Sequence, residues 1–339
     1  MTYNKKLFIH IMIIAALVLA YTLGIVFDPE RTAFGSDLLS WIDPQLVDRI
    51  DRIAIESGGE TKELIRKNAG WFVSHNGKDY PARQMRVEVF IDLLAKRAPY
   101  PVRSSNASSH ERLGLTENDA SRILVSGGVG LPLLDLLVGQ GDNTGQEVYL
   151  RRRGQNEARS GEDVFTSYTE SPRASWYNLR LFPESENGSL DADSVQRLTV
   201  YAGAQMSGNE DGDGSDADAY GDTAAAPAEL RVFTRNGMEW IFSGIHIAEA
   251  DMNKVDSYVR GILNVEGDDF SDSDEGDLMF NHSRITLELE DGSVKTVRLG
   301  PPDETGRRLA RVSGSPYTYS LAGWAAERLF RDTSFFEKQ

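Results

Sequence analysis

The chain has 339 residues, of which 40% are hydrophobic and 26% are charged, a composition typical of globular proteins and sufficient for two domains. Its 52 acidic and 36 basic residues give a net charge of -16, which argues against a nucleic-acid partner because phosphate binding needs a concentrated basic surface. The absence of cysteine excludes disulfides, thiol nucleophiles, iron–sulfur clusters and cysteine-ligated zinc sites.

An apolar run lies close to the N-terminus. It extends from Leu7 to Phe27 without a residue that is fully charged at neutral pH. That length is about the 20 residues that a helix needs to cross a bilayer core, and it exceeds the apolar region of about 7 to 15 residues usual in a cleaved signal peptide. We therefore expect residues 1–27 to form a cytoplasmic N-terminus and an uncleaved transmembrane anchor. Lys5 and Lys6 place the N-terminus in the cytoplasm and the bulk of the chain outside.

Short runs of alternating apolar residues follow an expected linker at residues 28–45. The first run, from Asp51 to Ser57, predicts a half-buried strand. The next stretch, from Asn68 to Leu94, contains Asn, Gly and Trp in that order, then a short apolar run, then a helix. The spacing i, i+3, i+4, i+7 predicts one buried helix face, formed by Val87, Phe90, Ile91 and Leu94.

The same order of elements returns later in the chain. Asn236 to Leu263 again contains Asn, Gly and Trp, an apolar run and a helix, with Trp240 at the place of Trp71. The second helix has the same spacing on its buried face, formed by Val255, Tyr258, Val259 and Ile262. The strand pattern also repeats, with Ser121–Gly128 resembling Ser283–Gly292. These repeats predict two copies of one unit.

The expected fold class is α+β, with the transmembrane helix followed by two tandem, mostly antiparallel β modules that each carry a packed amphipathic helix. The first module is expected over residues 46–185, closed by Ser175–Phe182, and the second over residues 190–336, closed by Phe330–Phe336. The second copy contains an acidic insertion at residues 203–228, whose Gly, Asp, Ser and Ala content predicts a disordered loop.

Candidate chemistry is sparse along the chain. The acidic insertion places Asn209, Asp211, Asp213 and Gly214 in part of a calcium-loop pattern, but Tyr220 stands where a bidentate Glu is needed, which favours a solvated loop over a weak divalent-cation site. The glycines of 127–130 and 139–145 lack the following helix of a phosphate loop and indicate hairpins and loops. We predict no catalytic, cofactor-binding or metal-binding residue, and no cofactor.

Three features of the strands have structural interpretations. Arg151, Arg152 and Arg153 indicate a solvated strand that pairs with neighbouring acids. His75, beside Asn76 and Gly77, is interpreted as a turn residue, and Trp71 as a core anchor where strand meets helix.

These motifs together resemble a known family. Five features carry the resemblance. They are a hydrophobic N-terminal anchor, the duplicated D-x-I-x-I strand, the N-x-G-W strand with its helix, the segment S-x-x-E-R-L-G-L at Ser108–Leu115, and a strand ending in Val138 and Gly139. Together they are similar to the family called domain of unknown function 4340. The likeness covers about residues 45–336. Members are membrane-anchored bacterial proteins, often encoded beside ABC-transport components of the gliding-motility type, and have no established activity. The acidic insertion departs from the family pattern.

The resemblance implies an accessory or structural role at the bacterial inner membrane, next to a permease and an ATPase supplied by other chains. The leading hypothesis is a non-enzymatic, membrane-anchored extracytoplasmic component of an ABC-type transport system. The alternative is a ligand-binding module for a polysaccharide, a peptide or a divalent cation, in a groove between the copies. Its candidate lining is Trp71, Trp176, Trp240 and Trp324, although core packing is favoured for each. A hydrolase with paired acids is the weakest hypothesis. The sequence leaves the oligomeric state open.

Overall fold

The computed structural model describes residues 38–68, 70–128, 130–182, 190–203, 229–237, 239–244, 251–272 and 280–338. The chain divides into two compact units, the first module, which ends at Tyr177, and the second module, which begins at Asn178. The expected anchor and residues 204–228 of the acidic insertion lie outside the described ranges. Within those ranges, no helix is both long and apolar enough to cross a membrane.

The first module is built around one large antiparallel sheet. Its strands are β1 (Leu38–Leu39), β2 (Ile50–Ser57), β3 (Glu60–Lys67), β4 (Gly70–His75), β5 (Lys78–Pro81), β6 (Ala98–Pro99), β7 (Val102–Ser104), β8 (Ser121–Gly127), β9 (Leu131–Gly141), β10 (Glu147–Arg152) and β11 (Ala158–Glu162). Its helices are α1 (Gln84–Ala95) and α2 (Val164–Thr169), with 3-10 turns at Pro44–Arg49, Ala107–Ser109 and Arg173–Trp176. The sheet order is β5-β4-β3-β2-β8-β9-β10-β11-β7, and β1 pairs separately with β6.

The second module repeats this arrangement. Its strands are β12 (Val195–Ala202), β13 (Glu229–Asn236), β14 (Glu239–Gly244), β15 (Asp269–Ser271), β16 (Ser283–Leu289), β17 (Val294–Leu299), β18 (Arg308–Val312) and β19 (Thr318–Leu321). Its helices are α3 (Met252–Leu263) and α4 (Gly323–Leu329), with 3-10 turns at Ala192–Ser194 and Thr333–Phe336. The order β14-β13-β12-β16-β17-β18-β19-β15 matches the first sheet from β4 to β7, strand for strand. The predicted α+β class is confirmed.

The register of the central strands is also the same in both sheets. Ile53 of β2 lies opposite Val125 of β8, and Ile55 lies opposite Ile123. The equivalent pairs in the second sheet are Leu198 with Leu287 and Val200 with Ile285. All eight side chains are buried, because alternation along a strand turns every second residue toward the helix-covered face.

Each long helix packs on its sheet through the predicted face. The four predicted residues of α1 and the four of α3 are all buried. A distant aromatic residue completes each helix contact. The Trp176 ring lies 5.6 Å from that of Phe90, and the Phe336 ring lies 5.0 Å from that of Tyr258. Trp176 and Phe336 therefore have equivalent roles at the ends of the two modules.

The same two residues also cap the helices through their backbones. The carbonyl of Trp176 accepts from the N–H of Arg83, the residue before α1, at 2.8 Å. The carbonyl of Phe336 accepts from the N–H of Asp251, the residue before α3, also at 2.8 Å. Because the first N–H groups of a helix have no partner within the helix, these carbonyls accept from N–H groups that would otherwise lack a hydrogen-bond partner.

The edges of the first module differ from the expected ones. Trp41 and Ile42 are buried, and the Ile42 N–H donates to the carbonyl of Leu94 at 3.0 Å, so part of the expected linker packs against α1. At the other end, Leu181 and Phe182 pack in the core of the second module. The segment that was expected to close the first module therefore contributes to both, because its apolar residues find two separate cores.

One ion pair joins β8 and β9 on the face of the first sheet. Arg122 donates from Nε and Nη2 to the two carboxylate oxygens of Asp135, both at 2.8 Å. These hydrogen bonds are the main cause that holds the pKa of Asp135 below its ordinary value. In the second sheet, register places Thr296 at the position of Asp135, so the ion pair belongs to the first module.

We expect Asp135→Asn to lower the stability of the first module by about 1.5 to 3 kcal/mol at neutral pH, because it removes a charge-assisted bidentate contact. The depressed pKa means that this contribution is present above the pKa of the unfolded chain, about 3.9, and is lost as the pH falls through the lower pKa of the folded chain. Urea unfolding followed by circular dichroism as a function of pH measures both effects.

The matched control is Asp92→Asn, which removes the same charge from an exposed position of α1. This control should leave the acid dependence of unfolding unchanged. An identical acid dependence in wild type and Asp135→Asn would show that the ion pair does not stabilise the fold.

Candidate functional site

A basic side chain is buried at the same position of each sheet. Lys62 of β3 lies opposite Ile55, and Arg231 of β13 lies opposite Val200. The two side chains are only 2% and 3% exposed. Burial is the main cause that lowers the pKa of Lys62. A charge at this depth needs oxygen partners, and both modules supply them in the same way.

The partners are backbone carbonyls at the end of the second helix of each module. Lys62 Nζ donates to the carbonyl of Thr169, the last residue of α2, at 2.6 Å. Arg231 Nη1 donates to the carbonyl of Arg331, just after α4, and Nη2 to the carboxylate of Glu229. These cations are structural, since they tie a helix end to the sheet. Neither cation is predicted from the sequence, where the available signal is a basic residue at a buried position of a strand pattern.

The tryptophans proposed for a ligand groove are mostly core residues. Trp71, Trp176 and Trp240 are at most 4% exposed, whereas Trp324 in α4 is 59% exposed. The interpretation of Trp71 as a core anchor is confirmed. A groove lined by aromatic side chains therefore loses three of its four candidates.

The basic cluster is more buried than predicted. Arg151 is 7% exposed and donates to the carbonyls of Leu115 at 2.8 Å and Gln155 at 2.9 Å. The prediction of a solvated strand is wrong for this residue. Strand β10 lies between β9 and β11, and the Arg151 side chain is covered by the segment ending at Leu115. Arg153 pairs with Glu117 at 2.7 Å, which confirms the predicted pairing with acids.

His75 belongs to a strand rather than to a turn. It is the last residue of β4, and its Nε2 lies 2.9 Å from Nη1 of Arg173. The turn itself is made by Asn76 and Gly77, which have φ angles of 51° and 75°. The contact with Arg173 gives His75 a packing role near the end of the module.

Two of the glycines predicted to lie in hairpins and loops belong to strands, Gly127 to β8 and Gly139 to β9, and both make close backbone contacts. A Cβ at Gly127 would lie 2.3 Å from the carbonyl oxygen of Arg49, and one at Gly139 would lie 2.3 Å from that of Leu113. Both positions therefore require glycine for packing. In the part of the chain that the structure describes, no three His, Asp or Glu side chains come together to hold a metal ion. The candidate calcium residues at 209–214 lie outside that part.

A first candidate surface is the outward side of α1. Met85 and Val89 are 74% and 50% exposed, and Leu93 follows one turn later and is partly exposed. We call these three residues the α1 outer face. Val89 and Leu93 border an open depression of about 710 Å³ together with Pro44 and Val47 of the neighbouring 3-10 turn. The charged side chains of Asp48, Asp92 and Lys96 also line this depression, so an apolar centre has a polar rim.

A second candidate surface is a cavity of about 820 Å³ in the second module, which we call the second-module pocket. It lies where the loop between β17 and β18 approaches the beginning of α4. Its lining is His282, Pro301, Pro302, Gly306, Arg308, Gly323, Ala326, Glu327, Phe330, Arg331 and Asp332. The volume is in the usual range for small-molecule sites, about 300 to 1,000 Å³.

The comparisons with known proteins identify a family. The family model described as Domain of unknown function (DUF4340) matches residues 71–233. The chain carries a domain of this family. The DUF4340 match begins in β4 and ends in β13, so it extends from the first module into the second. No curated protein and no solved structure matches the chain significantly.

We expect Lys62→Ala to destabilise the first module by about 2 kcal/mol or more, because it leaves the Thr169 carbonyl without its donor and opens a cavity in the sheet. The matched control is Lys67→Ala on the same strand, where the lysine is half exposed and pairs with Asp79, and where the loss should be at most about 1 kcal/mol.

Thermal unfolding and hydrogen exchange of the α2 amides measure the difference between these two variants. Equal stabilities of Lys62→Ala and Lys67→Ala would contradict a structural role for the buried lysine.

Proposed function

We propose that this protein is a non-enzymatic, membrane-anchored extracytoplasmic component of an ABC-type transport system, and that the α1 outer face docks on the permease. The observation that carries the proposal is a difference between the two copies of one helix. The helices α1 and α3 share their buried face, so both fulfil the same packing role. Their outward faces differ in a way that the fold does not require.

The difference lies at three successive turns of the helix. With Val87 aligned to Val255, the positions of Met85, Val89 and Leu93 in α1 correspond to Asn253, Ser257 and Gly261 in α3. The second copy therefore has polar or small residues where the first copy exposes large apolar ones. Exposed apolar stripes with a polar rim are typical of protein interaction sites, since water contact with them is unfavourable until a partner covers them.

The position of the α1 outer face in the chain favours a partner in the membrane. Strand β1 begins at Leu38 and pairs with β6, which directly follows α1. If Leu7–Phe27 spans the bilayer, residues 28–37 connect it to β1, and ten extended residues reach at most about 35 Å. Under this proposal the first module is held close to the membrane, where a permease is accessible.

The family resemblance supports the same choice of partner. Members of the DUF4340 family are often encoded beside ABC-transport components, which supply the ATPase and the permease as separate chains. A duplicated fold whose shared residues are packing residues suits a scaffold or adaptor. A ligand-binding role also has a specific observation in its favour, the second-module pocket, which lies within one module and is not the predicted groove between the copies.

We expect the double variant Met85→Asn, Val89→Ser, which gives α1 the residues of α3, to lose the transporter subunits on purification from membranes in mild detergent. Its stability should change by less than about 0.5 kcal/mol per substitution, because both side chains are exposed. Mass spectrometry of the purified complex and thermal unfolding of the variant are the two measurements.

The matched control is the double variant Asn253→Ala, Ser257→Ala at the equivalent exposed positions of α3. It should retain the same partners as the wild type. Recovery of the subunits with the α1 variant, or a wild-type protein that purifies without any permease or ATPase, would refute the proposal.

A further inference from the structure

The second-module pocket contains a half-buried arginine that has no acidic partner among the described residues. Arg308, the first residue of β18, donates from Nη1 to the hydroxyl of Ser283 at 3.3 Å. Its guanidinium lies 5.9 Å from the ring centre of Phe330. Both interactions are long, and a guanidinium has five N–H donors to satisfy. Burial lowers the pKa of Arg308, and no described carboxylate opposes this effect.

Other buried arginines also have a donor without an acceptor, the Nε of Arg86, Arg151 and Arg231, but the ends of their guanidinium groups have partners. Arg231 donates to a carbonyl and a carboxylate, and Arg151 donates to two carbonyls. Arg86, which also lacks a described acid, lies between two aromatic rings at 5.0 Å from Tyr168 and 4.8 Å from Trp176. Arg152 donates to the carbonyl of Trp41 and lies over its ring. Arg308 has one long hydrogen bond to a hydroxyl and one distant ring, and it lines a cavity large enough for a ligand.

The equivalent positions of the first module show that the fold does not need Arg308 or His282, two residues of the pocket lining. Register places Val148 of β10 at the position of Arg308, because Val148 pairs with Gly161 as Arg308 pairs with Leu321. Val148 is fully buried. Similarly, Ala120 precedes β8 where His282 precedes β16. The second copy therefore has an arginine and a histidine where the first copy has apolar residues, so the shared fold does not require them.

The remaining lining narrows the chemistry of the ligand. Arg331 adds a second positive charge, while Glu327 and Asp332 bring two negative charges. This balance favours a monoanion with hydroxyl or amide groups over a dianion such as phosphate, because the two carboxylates repel a higher negative charge. The planar fork of a guanidinium matches a carboxylate with two parallel hydrogen bonds. Pro301, Pro302 and Phe330 provide apolar surface for the rest of the molecule.

We infer that the second-module pocket binds a small carboxylate-bearing ligand, whose carboxylate is held by Arg308 and whose body packs on Pro301, Pro302 and Phe330. The carboxylate can belong to an acidic sugar or to the C-terminus of a short peptide, since both have the same anionic group. This site lies within one module and is independent of any transporter partner.

The experiment uses the full chain in detergent micelles. The probes are glucuronate with glucose as its uncharged counterpart, alanyl-alanine with its C-terminal amide, and inorganic phosphate. Trp324 is a built-in reporter, because it neighbours the lining residue Gly323 and is exposed, whereas the other four tryptophans are at most 4% exposed. Acrylamide is an uncharged quencher, and it quenches mainly the fluorescence of Trp324 because the other tryptophans are buried. Calorimetric titration gives the affinities.

We expect at least one carboxylate probe to bind and to protect Trp324 from quenching, with its uncharged counterpart at least about tenfold weaker, as the loss of a charge-assisted hydrogen bond implies. Arg308→Gln should weaken binding by at least about tenfold without loss of thermal stability. Arg308→Lys keeps the positive charge but loses the planar fork of the guanidinium, so its affinity should lie between those of the wild type and Arg308→Gln. Arg328→Gln is the matched control, because Arg328 is exposed on α4 and outside the lining.

Tighter binding of glucuronate than of alanyl-alanine would identify an acidic sugar as the ligand class. Tighter binding of alanyl-alanine would identify a peptide C-terminus. Four outcomes would overturn the inference. The first is equal binding of each carboxylate probe and its uncharged counterpart, and the second is tighter binding of phosphate than of either carboxylate. The third is an affinity that is unchanged by both Arg308→Gln and Arg308→Lys, and the fourth is the absence of binding by every probe.

Discussion

One buried cation in each sheet holds the end of a module against its beginning. Lys62 and Arg231 come from early strands, and their partners are the carbonyls of Thr169 and Arg331, which follow near the end of each module. A buried charge without oxygen partners is strongly unfavourable, so these contacts determine where the second helix of each module must end. The chain then continues into the closing turn, whose aromatic residue packs on the first helix and caps it. The helix contact therefore depends on the cation.

The comparison of the two copies separates what the fold needs from what function has added. Strand order, central register, the buried faces of α1 and α3, the closing aromatic residue and the buried cation are common to both copies. The differences lie on surfaces and at cavity walls. The first copy exposes large apolar residues on α1, and the second places Arg308 and His282 where the first has Val148 and Ala120. Divergence after duplication has thus given each module its own surface.

These two surfaces are suited to different partners. The α1 outer face is apolar with a charged rim and is close in the chain to the expected anchor, which suits a protein in the membrane. The second-module pocket has an arginine short of acceptors beside apolar walls, which suits a small acid. Under the two proposals, the first module docks on a transporter and the second binds a ligand, which would make the protein an adaptor between them.

The sequence by itself determined the repeated unit, the α+β class and the buried face of each long helix, because the periodicity of apolar residues is a local property. It also marked Trp71 as a core residue through its repetition at Trp240. It did not predict that Arg151 is buried or that His75 belongs to a strand. Nor did it show that Trp41 and Ile42 are buried and that Ile42 bonds to Leu94 of α1, because these contacts join segments that are distant in the sequence.

The candidate sites depended still more on tertiary structure. Lys62 and Thr169 are 107 positions apart in the chain, and the lining of the second-module pocket comes from three separate segments. In the sequence, a single charged residue in a strand pattern is the same whether its side chain contacts water, bonds to a distant carbonyl or lines a cavity. Only the folded chain decides among these, since the desolvation and the partners of a charge are fixed by residues that are remote in sequence.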